Sequence, residues 1–408
     1  MRTACLRSFP ALCVAAALLL SACGGAASPA SPSAAAPSTA APASAAAKPA
    51  SQTAKPGASG AGSPAASGGT TLQGLIDGAK KEGALQFAYG GGTLGGNEGI
   101  AKLGDAFNKA YGLDLQIQLS PGDSMPNMVA KITQEYQANK PASTDVVLSL
   151  ADTMNTPIEA HSVYTEDWRS WGPNIQKVQS PDVTTPDGSA VVIQTFMSGI
   201  AYNTNKVPKD QVPTNMQDLL KPQFKGKMSS TVYATAFDWM ATDAMWGYDK
   251  TLDYVKKFSQ QLAGVMRCGE DDRVASGEFD VFALSCSQTG ILKLKNQKGA
   301  PVDYVVPSDA ILEEYVYAAV PKTAQHPNAA KLWIDWLNSP EAQKIMGQND
   351  FTDSNLIPGS VSGKLLADAE AKAGSTKATV ASVQYAKDHY LPNGPKYKDE
   401  FTKILTGK

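Results

Sequence analysis

Residues 90–95 read Gly-Gly-Gly-Thr-Leu-Gly, the spacing G-x-G-x-x-G, after an apolar run and before a helical pattern. Glycines there let backbone N–H groups approach a small ligand at a helix N-terminus, which favours anionic groups. A dinucleotide reading fails, because the next strand pattern ends at Leu119-Ser120 with no acid placed to hold a ribose. Metal chemistry has little to work with. His161, His326 and His389 lie far apart, none has ligand spacing to a cysteine or carboxylate cluster, and each reads as a surface residue. There is no G-x-S-x-G elbow, no H-E-x-x-H and no Ser-x-x-Lys after a strand. No catalytic residue, metal or cofactor is therefore assigned, and the chain reads as a non-enzyme. Glu313-Glu314 and Glu270-Asp271-Asp272 read as solvated faces or helix-start acids.

The N-terminus carries chemistry of another kind. Arg2 and Arg7 precede an apolar stretch over residues 11–20, too short to span a bilayer. Leu20-Ser21-Ala22-Cys23 looks like a bacterial lipobox, in which the cysteine is lipidated and becomes the new N-terminus. Residues 1–22 are then a lipoprotein signal peptide. Residues 23–71 are the lipidated Cys23 and a disordered Ala/Ser/Pro/Gly tether with too few large apolar residues to form a core. Such a tether spans about 40 Å r.m.s.. The body is expected outside the cytoplasm, anchored to the bacterial membrane through Cys23.

Cys5 and Cys13 leave with the signal peptide, so Cys268 and Cys286 alone remain in the body. A pair in an oxidising compartment points to a disulfide, the alternative being two buried thiols. The remaining chain suits two lobes. Without Arg2 and Arg7 the net charge passes from −2 to about −4, and no Lys/Arg block is present, which argues against nucleic acid.

Helical and strand patterns alternate along the body: helices over 72–82, 100–111 and 128–139, strands over 84–89, 113–119 and 145–150. These are βα steps of a parallel sheet. Residues 190–203 form a long β-rich run suited to connecting two lobes. Strands follow over 227–232, 264–268, 280–285, 302–307 and 315–321, with helices over 236–262, 270–278, 328–337 and 340–346 and a helical tail from 363. Cys268 and Cys286 each end a strand of one βαβ unit. If those strands are neighbours, their Cα atoms lie about 5 Å apart, at the carboxyl edge where open α/β sheets bind ligands.

Three segments resemble bacterial extracellular solute-binding proteins. They are Ser198-Gly199-Ile200-Ala201-Tyr202-Asn203-Thr204 with Val207-Pro208, then Met216-Gln217-Asp218-Leu219-Leu220 with Phe224-Lys225-Gly226-Lys227, then His326-Pro327-Asn328-Ala329-Ala330-Lys331 through Ser339-Pro340-Glu341-Ala342-Gln343. The resemblance is to the branch that carries ferric ion, polyamines, thiamine and phosphonates. It implies an α/β, type II periplasmic-binding protein fold of two lobes with a β-strand hinge. Lobe one would take residues 72–190 with a return near 315–362, and lobe two 191–314 with the C-terminal helices near 363–408. Ferric-ion members carry adjacent tyrosines after the strand corresponding to 280–284, where this chain has Ser285-Cys286-Ser287-Gln288. Phenolate ligands for a hard cation are missing.

Ligand contacts are expected at strand ends. Lobe one offers Gly91, Gly92, Thr93, Ser120, Ser149 and Asp152. Lobe two offers Tyr233, Thr235, Arg267 and Ser287, with Arg267, or Arg273 in its place, set to pair with a carboxylate or phosphonate. The resemblance implies a monomeric solute-binding component of an ABC importer that hands a small polar or anionic solute to a membrane permease. A ferric-ion binder is the alternative within the family. A sensor lipoprotein, or an enzyme on the same fold, is the alternative outside it.

Overall fold

The apolar run 191–203 builds strands in two different sheets, and that crossing organises the molecule. The computed structural model describes residues 70–90 and 93–408. Cys23, the expected leader, nearly all of the tether, and Gly91 and Gly92 lie outside the described residues.

The strands are β1 (Ala84–Tyr89), β2 (Gln116–Pro121), β3 (Val147–Leu150), β4 (Val191–Met197), β5 (Gly199–Asn203), β6 (Met228–Thr231), β7 (Leu262–Met266), β8 (Val281–Ser285), β9 (Val302–Val305), β10 (Leu312–Ala319) and β11 (Thr379–Ala381). In the first lobe β1 pairs in parallel with β2, and a parallel Phe87–Val146 bridge leads into β3. Strand β10 runs antiparallel to β3 and β4 and parallel to β11. The second lobe holds a five-stranded sheet in the order β7-β6-β8-β5-β9. This is the type II periplasmic-binding fold, two α/β lobes joined by strands.

The chain crosses between sheets at Ser198, where β4 ends and β5 begins, and again between β9 and β10. Every residue of β4 and β5 except Phe196 is buried, as is all of β10, which is why these strands show no apolar/polar alternation. A third segment joins helix Pro340–Asn349 to helix Val361–Ala373 and is stitched to β4. Thr195 N donates to Asp353 O at 2.9 Å, and Gln194 Nε2 donates to Thr352 O at 2.7 Å. The Asp353 carboxylate accepts from Val361 N and Ser362 N, each at 2.8 Å, and so caps the helix that packs onto the second lobe.

The first lobe is locked by local chemistry. Glu82, at the end of helix Leu72–Glu82, accepts from Asn328 N at 3.1 Å and Ala329 N at 2.8 Å, satisfying orphan donors of helix Pro327–Leu337. Fully buried Asp145 accepts from Gln86 N, Gln325 N and His326 N, and meets His326 Nδ1 at 2.7 Å. His326 is thus a largely covered tie between segments, not the surface residue its isolation in the sequence implies.

The expected adjacency of the two cysteine strands does not hold, because β6 lies between β7 and β8. The disulfide nevertheless forms. Cys268 lies in the loop beyond β7 and Cys286 directly after β8, and the bond reaches past the end of β6 with Cα atoms 5.7 Å apart.

Candidate functional site: the cleft between the lobes

A cavity of about 460 Å³ opens where both sheets and the crossing segments converge. Its floor comes from the first sheet: Gln194 and Phe196 of β4, and Val316 of β10. Gln194 faces Val316 across the ladder and Phe196 faces Glu314, so Glu314 belongs to the same row. One wall brings Thr93 and Met125 from the loops after β1 and β2, with Asp350 and Thr352 from the third crossing. The opposite wall brings the disulfide, Asp271 and Asp272 after β7, then Ser287 and one side of helix Thr289–Lys298 along its whole length to Lys298 after β8. Carboxyl ends of strands from both sheets therefore face one space, the position where open α/β sheets bind ligands.

The charges in this space are unevenly matched. Lys293 is spent on Asp350, which it meets at 2.8 Å, and Asp350 is only 3% exposed and also accepts from Gln194 Nε2 at 3.1 Å. Asp271 has no hydrogen-bonding or ionic side-chain partner among the described residues. It lies against Gly290, where a Cβ would have no room beside its carboxylate. Burial, and then the neighbouring Asp272, push its carboxyl up to about 6. Glu314, beside Phe196 but not itself among the lining residues, is 7% exposed, and its Oε2 accepts from Ser198 Oγ at 3.2 Å. Burial first, then the charges of Asp238 and Asp152, push it up to about 8, against opposing effects of Ser198 and Lys398. Asp238 is raised to about 6 by burial, although Lys398 stands 3.9 Å away and Tyr390 donates to it at 2.9 Å.

Of the residues expected at strand ends, Thr93 and Ser287 line this cavity. Ser120 is exposed on β2, Ser149 is fully buried in β3 with an unpaired hydroxyl, and Asp152 is half-buried in the first turn of helix Ala151–Glu159. Tyr233 is 39% exposed in the loop after β6. Thr231 Oγ1 ties that loop by donating to Thr235 Oγ1 and accepting from Thr235 N, both at 3.0 Å. Ala234 and Ala236 there adopt φ values of 52° and 65°, left-handed conformations that cost non-glycine residues on the order of 1 kcal/mol or more. Arg267 is exposed and outside the cavity lining, and Arg273 is held by Glu270 at 3.0 Å and Glu278 at 2.6 Å. Neither points to a prepared anion pocket.

Glu313-Glu314 is not a solvated face, whereas Glu270 is partly exposed and Asp272 exposed at the start of helix Asp272–Ala275, as expected of helix-start acids. Glu313 and Glu314 are buried within β10, and Asp271 is mostly covered at the cleft wall. The sequence signal was present in Glu313-Glu314 interrupting an apolar run from Ile311 to Ala319. Where ferric-ion members carry tyrosines, Cys286 is in the disulfide and buried Gln288 accepts from Met197 N at 3.2 Å, bracing the crossing strand. Among the described residues no group of three or more His, Cys, Asp or Glu is arranged to hold a metal ion, and no helix is long and apolar enough to cross a membrane.

Solved structures share this architecture. A substrate-binding protein of an ABC transporter from Agrobacterium tumefaciens aligns with a TM-score of 0.62 at 14% identity, over 79% of this chain and 95% of that one. Iron-bound HitA from Pseudomonas aeruginosa aligns at 0.60 and 15% identity, over 78% and 99%. The spermidine/putrescine substrate-binding protein PotD from Streptococcus pneumoniae aligns at 0.57 and 15% identity, over 79% and 100%. An uncharacterised Haemophilus influenzae protein is 27% identical over 159 residues, which are 36% of this chain and 44% of that one, so the match spans less than half of that relative. The description "Bacterial extracellular solute-binding protein" matches residues 143–375, from just before β3 through the whole second sheet and all three crossing segments. The chain belongs to the family of bacterial extracellular solute-binding proteins.

Proposed function

We propose that this protein is the capture component of an ABC importer, tethered to the membrane by lipid on Cys23. A small solute enters between the lobes, its contacts to both walls favour the closed state, and the closed form presents it to a membrane permease. The observation that carries this reading is the cavity of about 460 Å³ lined from both sheets, with Gln194 and Phe196 of the strand that leads into the Ser198 crossing in its floor. A site that spans a hinge couples occupancy to closure, because the ligand's differential affinity for the two states sets the population. The protein acts as a monomer and performs no covalent chemistry. The ferric reading is the weaker one here, since a disulfide and a bracing glutamine stand in the place of the phenolates.

A thermal-shift screen of the full chain tests the reading. A solute at a hundred times its Kd stabilises by about 2.7 kcal/mol, a shift of a few degrees. Stabilisation by one chemical class, with the compound recovered unchanged, is the expected result. Conversion of the compound would favour an enzyme on this fold.

A further inference from the structure

The lining of the cleft divides by charge in a way that selects its solute. Lys293 is neutralised by Asp350, Lys298 lines the cavity only from the exposed far end of its helix, and Arg267 and Arg273 stand outside the lining. Asp271 has no cationic partner. Glu314 has Ser198 on one oxygen and no donor on the other among the described residues. Both carboxylates lie close to the buried Tyr304. Burial first, then their charges, push the Tyr304 hydroxyl above its usual range despite a contact with Ser285. Tyr304 Oη in turn donates to Met197 O at 2.5 Å, directly beside the Ser198 crossing. Between the acids the surface is apolar, with Phe196 opposite Glu314 on the neighbouring strand, and with Val316, Phe282 and Leu294.

We propose that the solute of this cleft is a small organic cation whose ammonium or amidinium group pairs with Asp271 and Glu314 while its hydrocarbon lies over Phe196 and Val316, an inference that rests on the capture reading. An anion entering here would be desolvated against Asp271 and would find, among the described lining residues, only the exposed Lys298 without an ionic partner. A cation restores the ionised form of acids whose burial is already built into the fold, and beside Glu314 it also meets the face of the Phe196 ring. The absence of a metal-ligating group among the described residues directs the proposal to organic cations rather than to a bare ion.

Isothermal titration of the full chain tests this with putrescine, agmatine and choline, against succinate, inorganic phosphate and fructose 6-phosphate, with glucose and ferric citrate alongside. Putrescine and succinate share a four-carbon length and differ in the sign of charge. At least one organic cation is expected to bind at least tenfold more tightly than any other member. Asp271→Asn and Glu314→Gln are each expected to weaken it tenfold or more, with circular dichroism unchanged. Asp105→Asn, on the exposed side of helix Gly96–Tyr111, removes the same charge elsewhere and leaves affinity as it was. Tightest binding of an anion, of glucose or of ferric citrate would overturn the cation assignment and leave the capture reading standing. Cation binding indifferent to both cleft substitutions would overturn the site assignment. Binding of no member would overturn the cation assignment and the capture reading together.

Discussion

Ser198 and Glu314 are hydrogen-bonded, Oγ to Oε2 at 3.2 Å, at the point where the chain leaves the first sheet for the second. Ser198 is the single residue between β4 and β5, and Glu314 is the β10 residue opposite Phe196. A buried ionisable group therefore sits on the pivot of the two lobes and in the floor row of the cleft. Its charge state bears on stability and, on the proposed reading, on binding.

Stability should depend on pH through this position. The Glu314 carboxyl is raised to about 8 in the folded chain, so between its ordinary unfolded value near 4.3 and that point the folded state holds a proton the unfolded state has released. Its contribution is full below about pH 4 and is lost as pH rises through 8. Glu313, raised to about 8, and Asp238 and Asp271, raised to about 6, act with the same sign. Glu314→Gln should flatten the fall in Tm between pH 5 and 9 and leave the variant more stable than wild type at the alkaline end. Parallel pH profiles for the two proteins would contradict this.

Gly199 begins β5 with no room for a side chain, since a Cβ there would lie 2.6 Å from the Tyr304 ring. Gly199→Ala should cost about 1–3 kcal/mol in urea unfolding by overpacking the pivot. Adding Tyr304→Phe removes the hydroxyl that meets Met197 O but leaves the ring carbons in the way, so the double variant should recover only part of the loss.

Breaking the Cys268–Cys286 bond opens a loop with a sequence separation of 18. Chain-entropy arguments put the loss at about 3 kcal/mol. The paired Cys→Ser variant should unfold at correspondingly lower urea. It should also bind solute more weakly, because the bond holds the loops that supply Asp271 and Ser287 to the cleft.

Cys23→Ala should release the protein from the membrane fraction while leaving solute binding by the secreted body unchanged. Metabolic labelling with a radiolabelled fatty acid should mark the wild type and not the variant. Membrane retention of the variant at wild-type level would count against the lipid anchor.

Helix Leu72–Glu82 and strand Ala84–Tyr89 fall where their apolar periodicity places them, because each buries one face on a local partner. The run 190–203 resolves into two strands with the lobe-to-lobe crossing inside it, as its length without a helix implies. Sheet order was less legible. Nothing local in β6, β7 or β8 says that β6 sits between the cysteine strands, since strand order is decided by long-range packing. Strand β10 begins at Leu312 rather than at Tyr315 because two acids at its start mimic a loop, although both are buried. Helix Thr289–Lys298 escaped because its lysines blur the apolar stripe of Ile291, Leu292 and Leu294, and with it went Lys293 and the glycine beneath Asp271. The strand-end rule reached Thr93 and Ser287, but it has no means of reaching a floor built from mid-strand residues such as Gln194, Phe196 and Val316.

The most direct test of capture is native mass spectrometry of the full chain. The chain is first unfolded and refolded free of ligand, then exposed to a mixture of small metabolites. Solute capture predicts a single bound small molecule at a ratio of one to one, released unchanged on denaturation and lost when Gly290→Trp fills the cleft. A chain that retains no small molecule, or that returns an altered one, would contradict the account.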